Sequence, residues 1–126
     1  MSRVTSIPVP ALQSVVLELT PPNLVRLSGT ITSKEPDPEL TAFLRALQRA
    51  VLEDAVSELR VDVSGLTFVN SAAIRVFVDM ATWVQREARS AYKLRFLTNR
   101  RVTWQKTSFM ALSSLARGVV VVDHVE

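Results

Sequence analysis

The hydroxyl of Ser71 lies in the run Asn70-Ser71-Ala72-Ala73, between an apolar stretch rich in β-branched residues and an amphipathic one. A hydroxyl at such a strand-to-helix junction can act as a nucleophile, accept a phosphate or cap the helix. Nucleophilic catalysis needs a base and an orienting acid beside the serine. The only histidine, His124, lies near the end of the sequence and offers no triad spacing. There is no Gly-rich phosphate loop, the carboxylates show no metal-ligand spacing, and the absence of cysteine removes thiol nucleophiles, disulfides and thiolate metal sites. The reading is therefore of a chain that is not an enzyme and needs no cofactor. Phosphate acceptor and helix cap remain open for Ser71, and Asn70 is an equally suitable cap. Ser64 and Thr67 are secondary hydroxyls expected to bond locally within a turn, and Asp62 is expected to be satisfied by nearby amides.

These residues depend on the elements around them. Residues 14–32 contain two β-rich runs broken by Pro21-Pro22-Asn23, which reads as a hairpin. After a loop, Asp37 and Pro38 suit a helix cap and a first helical position, and Leu40, Phe43, Leu44, Leu47 and Val51 recur at helical spacing. Residues 58–63 alternate into a third strand, with Ser64-Gly65 marking its exit. Beyond Ser71, the residues Ile74, Phe77, Val78, Ala81, Val84 and Ala88 form one apolar stripe of a second helix. Tyr92, Leu94 and Phe96 alternate with Lys93, Arg95 and Leu97 as a fourth strand. A third helical stretch spans 102–117, with Trp104, Ala111, Leu112 and Leu115 expected on one face and Gly118 placed to end it. Residues 119–123 form a final short strand. This order implies an α/β fold, a mixed central sheet with an N-terminal hairpin and three amphipathic helices, whose βαβ units require parallel neighbours and right-handed crossovers. With 126 residues and 48% hydrophobic content, the chain reads as one globular domain over 14–126 preceded by an extension over 1–13.

The start of the sequence lacks a signal-like apolar core, and no window holds eighteen consecutive apolar residues. Cytoplasmic residence without a membrane span is the expectation. Of the net charge of +3, seven cations between Arg86 and Lys106 face only Glu87. Tyr92, Phe96 and Trp104 interleave with them, which is the raw material of nucleic-acid binding by charge and stacking. The aromatics fit core positions and the charges are divided among three elements, so an acidic protein partner or plain solvation is expected in place of nucleic acid.

With that order established, the stretch VDVSGLTFVNSAAIRVFV (residues 61–78) resembles the signature of the STAS domain, the family of bacterial anti-sigma-factor antagonists. Asp62-Val63-Ser64, Phe68-Val69, Ser71 and Ile74 match its pattern, and VRLSGTIT is similar to the family's second strand, with Leu27 and Gly29 in the expected places. The chain departs from the pattern at Asn70, where the family usually has an acid, at Ala72-Ala73, where it has Ser/Thr-Gly, and at Thr32, where Asp is common. The hydroxyl stays and two negative charges are lost. The resemblance implies phosphorylation of Ser71 by a partner that is both an ATP-dependent serine kinase and an anti-sigma factor. It also implies a docking face built from Thr67, Asn70, Ser71, Ala72 and Arg75, with Thr32, Asp62 and Ser64 contributing. The unmodified protein would capture that partner and the phosphorylated one would release it, making this a stand-alone transcription-regulating switch. The alternative is a non-switching STAS subunit held permanently in a lipid-transport or signalling assembly.

Overall fold

The structure is a computed structural model and describes residues 3–12, 14–20, 22–31, 38–89 and 91–125. Strands β1 (Val15–Thr20) and β2 (Leu24–Ile31) form the antiparallel hairpin, with Val15 opposite Gly29 and Thr20 opposite Leu24. There follow α1 (Pro38–Glu53), β3 (Glu58–Val69), α2 (Ser71–Arg86), β4 (Lys93–Asn99), α3 (Thr103–Leu115) and β5 (Val120–Val125). Asp37, the expected cap of α1, lies outside the described residues. The sheet order is β1-β2-β3-β4-β5, and β2 to β5 are mutually parallel.

Each parallel strand joins the same side of its predecessor, so right-handed crossovers place all three helices on one face. Accordingly α1 and α2 pack on β3, α2 also on β4, and α3 on β4 and β5. Leu59, Val61, Val63, Leu94 and Phe96 point under the helices and are fully buried. Phe77, Phe96 and Phe109 bring α2, β4 and α3 together with ring centroids 4.9 to 5.9 Å apart. Two buried polar links fix α1: Gln48 Nε2 donates to the Met80 carbonyl (2.9 Å), and the Tyr92 hydroxyl donates to the Gln48 carbonyl (3.3 Å). Burial raises the pKa of Tyr92 well above its ordinary value, more than the Gln48 bond lowers it. Ahead of the hairpin, Val4 is buried in the core, and the Asp54 carboxylate accepts from the Arg3 and Val4 amides.

Among the described residues no helix covers the opposite face of the sheet, which carries cross-strand ion pairs. Arg26 Nε donates to Asp62 (3.1 Å), and Arg95 bridges Glu58 (3.0 Å) and Asp123 (2.7 Å). Part of the basic run is thereby neutralised within the sheet, and Lys93 Nζ donates to the Gly118 carbonyl.

Three elements differ from the sequence expectation. Strand β3 does not end at Val63 but continues to Val69. Two register shifts against β2, between Arg26 and Ser28 and between Gly29 and Thr30, each give β3 one extra residue. Such bulges break the period-2 alternation by which a strand is recognised. Gly65 and Gly29 permit this: a Cβ at Gly65 would lie 2.9 Å from that of Ser28, and Gly29 (φ +106°) passes against the Ser14 carbonyl, which accepts from the Thr30 amide. Helix α2 is rotated toward α1, so Ala73, Val76 and Met80 are buried while Ile74 and Val78 are only half-buried. Helix α3 buries Gln105, Phe109 and Leu112 and leaves Ala111 and Leu115 exposed.

Candidate functional site

Parallel strands deliver their chain ends to one edge of a sheet, where the connections into the helices begin. At this edge β3 passes directly into α2 through Asn70. Asn70 is extended (φ −94°, ψ 179°), and its Oδ1 accepts from the Ala73 amide at 3.0 Å, the geometry of a side-chain N-cap. Its own amide donates to the Ile31 carbonyl (3.1 Å), which fixes the turn to the end of β2. The cap is therefore supplied by Asn70. Ser71, the first helical residue, is exposed, and its hydroxyl has no hydrogen-bond partner among the described residues. Ala72 is half-buried and Ala73 is buried against the core, a position where a longer side chain would not fit without rearrangement.

Residues 63–69 no longer pair with β4, because that ladder ends at Asp62 opposite Leu97. The first turn of α3 replaces it. Gln105, fully buried, donates through Nε2 to the carbonyls of Val63 (3.0 Å) and Leu66 (2.7 Å), and its Oε1 accepts from the Asn99 amide (2.7 Å). Trp104 Nε1 donates to the Thr67 carbonyl (3.1 Å). These two side chains hold the strand end that presents Asn70 and Ser71. Sequence reading missed both roles, placing Trp104 on an apolar face and passing over Gln105, because a glutamine in an irregular helical stretch carries no local signal for the carbonyls it will meet.

The other expected site residues divide into two groups. Thr67, Asn70, Ser71, Ala72 and Arg75 lie together at the β3–α2 junction, with Thr67, Ser71 and Arg75 exposed. Arg75 follows Ser71 by one helical turn, on the same side of α2. Phe68, 51% exposed, adds an apolar side chain beside them. Asp62 and Ser64 belong to the helix-free face, with Asp62 roughly 20 Å back along β3 at strand rise. There Ser64 donates to Asp62 Oδ1 through its hydroxyl (2.6 Å) and amide (2.9 Å). Burial pushes the Asp62 carboxyl up, but the two Ser64 bonds and Arg26 outweigh it and leave the pKa below its ordinary 3.8. Thr67 donates its hydroxyl across the sheet to the Gly29 carbonyl on β2 (3.2 Å), so of the two secondary hydroxyls only that of Ser64 bonds locally and the turn bond expected of Thr67 is a cross-strand one. Thr32 lies outside the described residues. His124 is half-buried with Nδ1 2.7 Å from the Thr98 hydroxyl oxygen.

Arg75 and Arg101 are exposed at this edge, and the residue before Ser71 is neutral. Among the described residues no three His, Asp or Glu side chains cluster as metal ligands, and no helix is long and apolar enough to cross a membrane.

No family model matches the sequence, and no curated protein matches it either. Comparison with solved structures finds an anti-sigma factor antagonist from Mycobacterium paratuberculosis, with a TM-score of 0.51, 16% identity, and coverage of 86% of this chain and 84% of that one. The five-stranded mixed sheet, N-terminal hairpin and three helices expected from the sequence are present. At this level of identity the likeness concerns architecture, and the chain has the STAS-like fold of an anti-sigma factor antagonist.

Proposed function

We propose that the protein is a phosphorylation-sensitive binding module of the partner-switching kind, with Ser71 as the modified residue and the surface around Thr67, Asn70, Ser71, Ala72 and Arg75 as the docking face. The observation that carries this reading is the division of labour at the junction: Asn70 caps α2 while the Ser71 hydroxyl is exposed and unbonded among the described residues. A kinase can reach such a hydroxyl without removing a helix cap. A phosphate there adds about −1.5 to −2 charges at the positive end of the helix dipole, so it is compatible with the fold while altering a fitted interface by desolvation and charge. Arg75, one turn on, supplies a neighbouring cation.

In this reading the chain is not a catalyst. ATP and phosphoryl transfer belong to the partner, an anti-sigma-factor-like serine kinase in the bacterial cytoplasm, and the output is transcriptional. A neutral Asn70 gives such a kinase a less acidic approach than the family pattern does, and the partner's contact surface must match that difference. The same neutral junction favours a second reading, a permanently assembled subunit that is never modified. Binding measurements on Ser71→Asp and Ser71→Ala separate them. The switch requires capture of the kinase by Ser71→Ala and wild type alike and at least about tenfold weaker capture by Ser71→Asp. Equal affinity of all three, each shown to be folded by circular dichroism, rules out the switch and leaves the fixed subunit.

A further inference from the structure

We infer that the groove between α2 and α3 is a docking site for an acidic amphipathic helix of a partner protein. The groove has a volume of about 320 Å³; Phe77 and Phe109, both buried, form its floor, and Ile74, Val78, Ala111 and Leu115 line its sides. These four are residues that helical periodicity assigns to the core. Ile74 and Val78 are instead half-buried, Ala111 is exposed, and Leu115 is 67% exposed. Removing such side chains from water is favourable, and this domain leaves that contribution unused along one continuous seam. A stripe patterned for burial and left open on two adjacent helices is a surface that another chain completes.

Charge selects the occupant. Helices α2 and α3 both follow parallel neighbouring strands and therefore run side by side in the same direction, giving the groove two defined ends. Arg75 and Arg101 are exposed toward the end where the helices start, and Arg86 and Arg117 toward the end where they finish. None of the four forms an ion pair among the described residues. The only acids on these helices and their flanking turns are Asp79 and Glu87. A second copy docking through the same face would bring the same arginines to the groove and be repelled. A helix with leucines on one face and carboxylates along its flanks fills the apolar seam and meets the arginines at both ends. About 14 residues, roughly 20 Å of helix, matches the 13-residue α3. The groove opens three residues beyond Ser71, at Ile74, so a partner seated on the β3–α2 junction can continue into it. The inference does not depend on Ser71 being modified.

The test is fluorescence anisotropy with two synthetic helical peptides of about 14 residues, sharing leucines at i, i+3 and i+4 spacing. One carries Glu at the remaining positions and the other Lys. The Glu peptide is expected to bind at least about tenfold tighter than the Lys peptide, to weaken as salt rises, and to shift the methyl resonances of Ile74, Val78 and Leu115. Leu115→Glu, at an exposed position that should not disturb folding, is expected to weaken the Glu peptide by about tenfold or more. Val16→Glu, on the exposed side of β1, is expected to bind as wild type does. Equal binding of the two peptides, no binding of either, or methyl shifts confined to another face would overturn the proposal. So would self-association that Leu115→Glu abolishes, because a second copy would then be the occupant.

Discussion

Helices α2 and α3 begin at the same edge of the sheet, after neighbouring parallel strands, yet their first turns are put to opposite uses. The start of α2 has a side-chain cap from Asn70 and leaves the next hydroxyl exposed. The start of α3 has no side-chain cap at Val102, and its first turn is occupied with Trp104 and Gln105 donating to the end of β3. A helix N-terminus offers the same free amides and the same positive dipole end in both cases. What distinguishes a candidate site is which polar groups remain once the fold has been satisfied. At α3 they are consumed in holding β3, and at α2 that support allows Ser71 to remain available.

Damage to the two starts should therefore be very unequal. Gln105→Leu keeps the volume but strands the Val63 and Leu66 carbonyls and the Asn99 amide in a buried site, and is expected to cost about 3 kcal/mol or more in urea unfolding. Asn70→Ala removes the cap of α2 and should cost about 1 kcal/mol, with faster hydrogen exchange in the first turn of α2. A loss equal to that of Gln105→Leu would mean that the two starts are structurally alike.

Acid sensitivity sharpens the contrast by locating a third environment on the helix-free face. Because the Asp62 pKa is lowered in the folded protein, its contribution to stability is fully present above the ordinary value of 3.8 and is lost as the pH falls below that value through the lowered one. Asp62→Asn should flatten unfolding free energy against pH in that window, whereas Asn70→Ala should leave the slope unchanged. At the small end of the scale, Ser71→Asp should stabilise α2 by about 0.3–1 kcal/mol through the helix dipole. Ser71→Ala should fall within about 0.5 kcal/mol of wild type. A clear loss in Ser71→Ala would mean that the hydroxyl is structural after all.

The hairpin, the three helices and the order of elements along the chain follow from signals that are local in sequence: a double proline, the period of apolar residues, a polar junction before an amphipathic run. The Asn70-Ser71 junction was legible for the same reason, although its residues alone could not say which of the two supplies the cap. The rest depends on contacts between distant segments. The course of β3 past Val63 is hidden because its bulges are defined only against β2. Gln105 gives no warning of its role, since its partners at Val63, Leu66 and Asn99 lie on other elements. Ile74, Val78, Ala111 and Leu115 look like core because spacing identifies an apolar face without specifying what packs against it. Only the placement of α2 between α1 and α3 shows that part of that face remains open.

The central claim is that Ser71 is a switch residue separated from the cap that holds its helix. The direct measurement is the intact mass, with site mapping, of the protein after incubation with ATP and the serine-kinase-like ATPases encoded by its own genome. The account requires a single added phosphate on Ser71, absent in Ser71→Ala and retained in Asn70→Ala. A stable complex with such a partner that leaves Ser71 unmodified, or that places the phosphate on another residue, would contradict it.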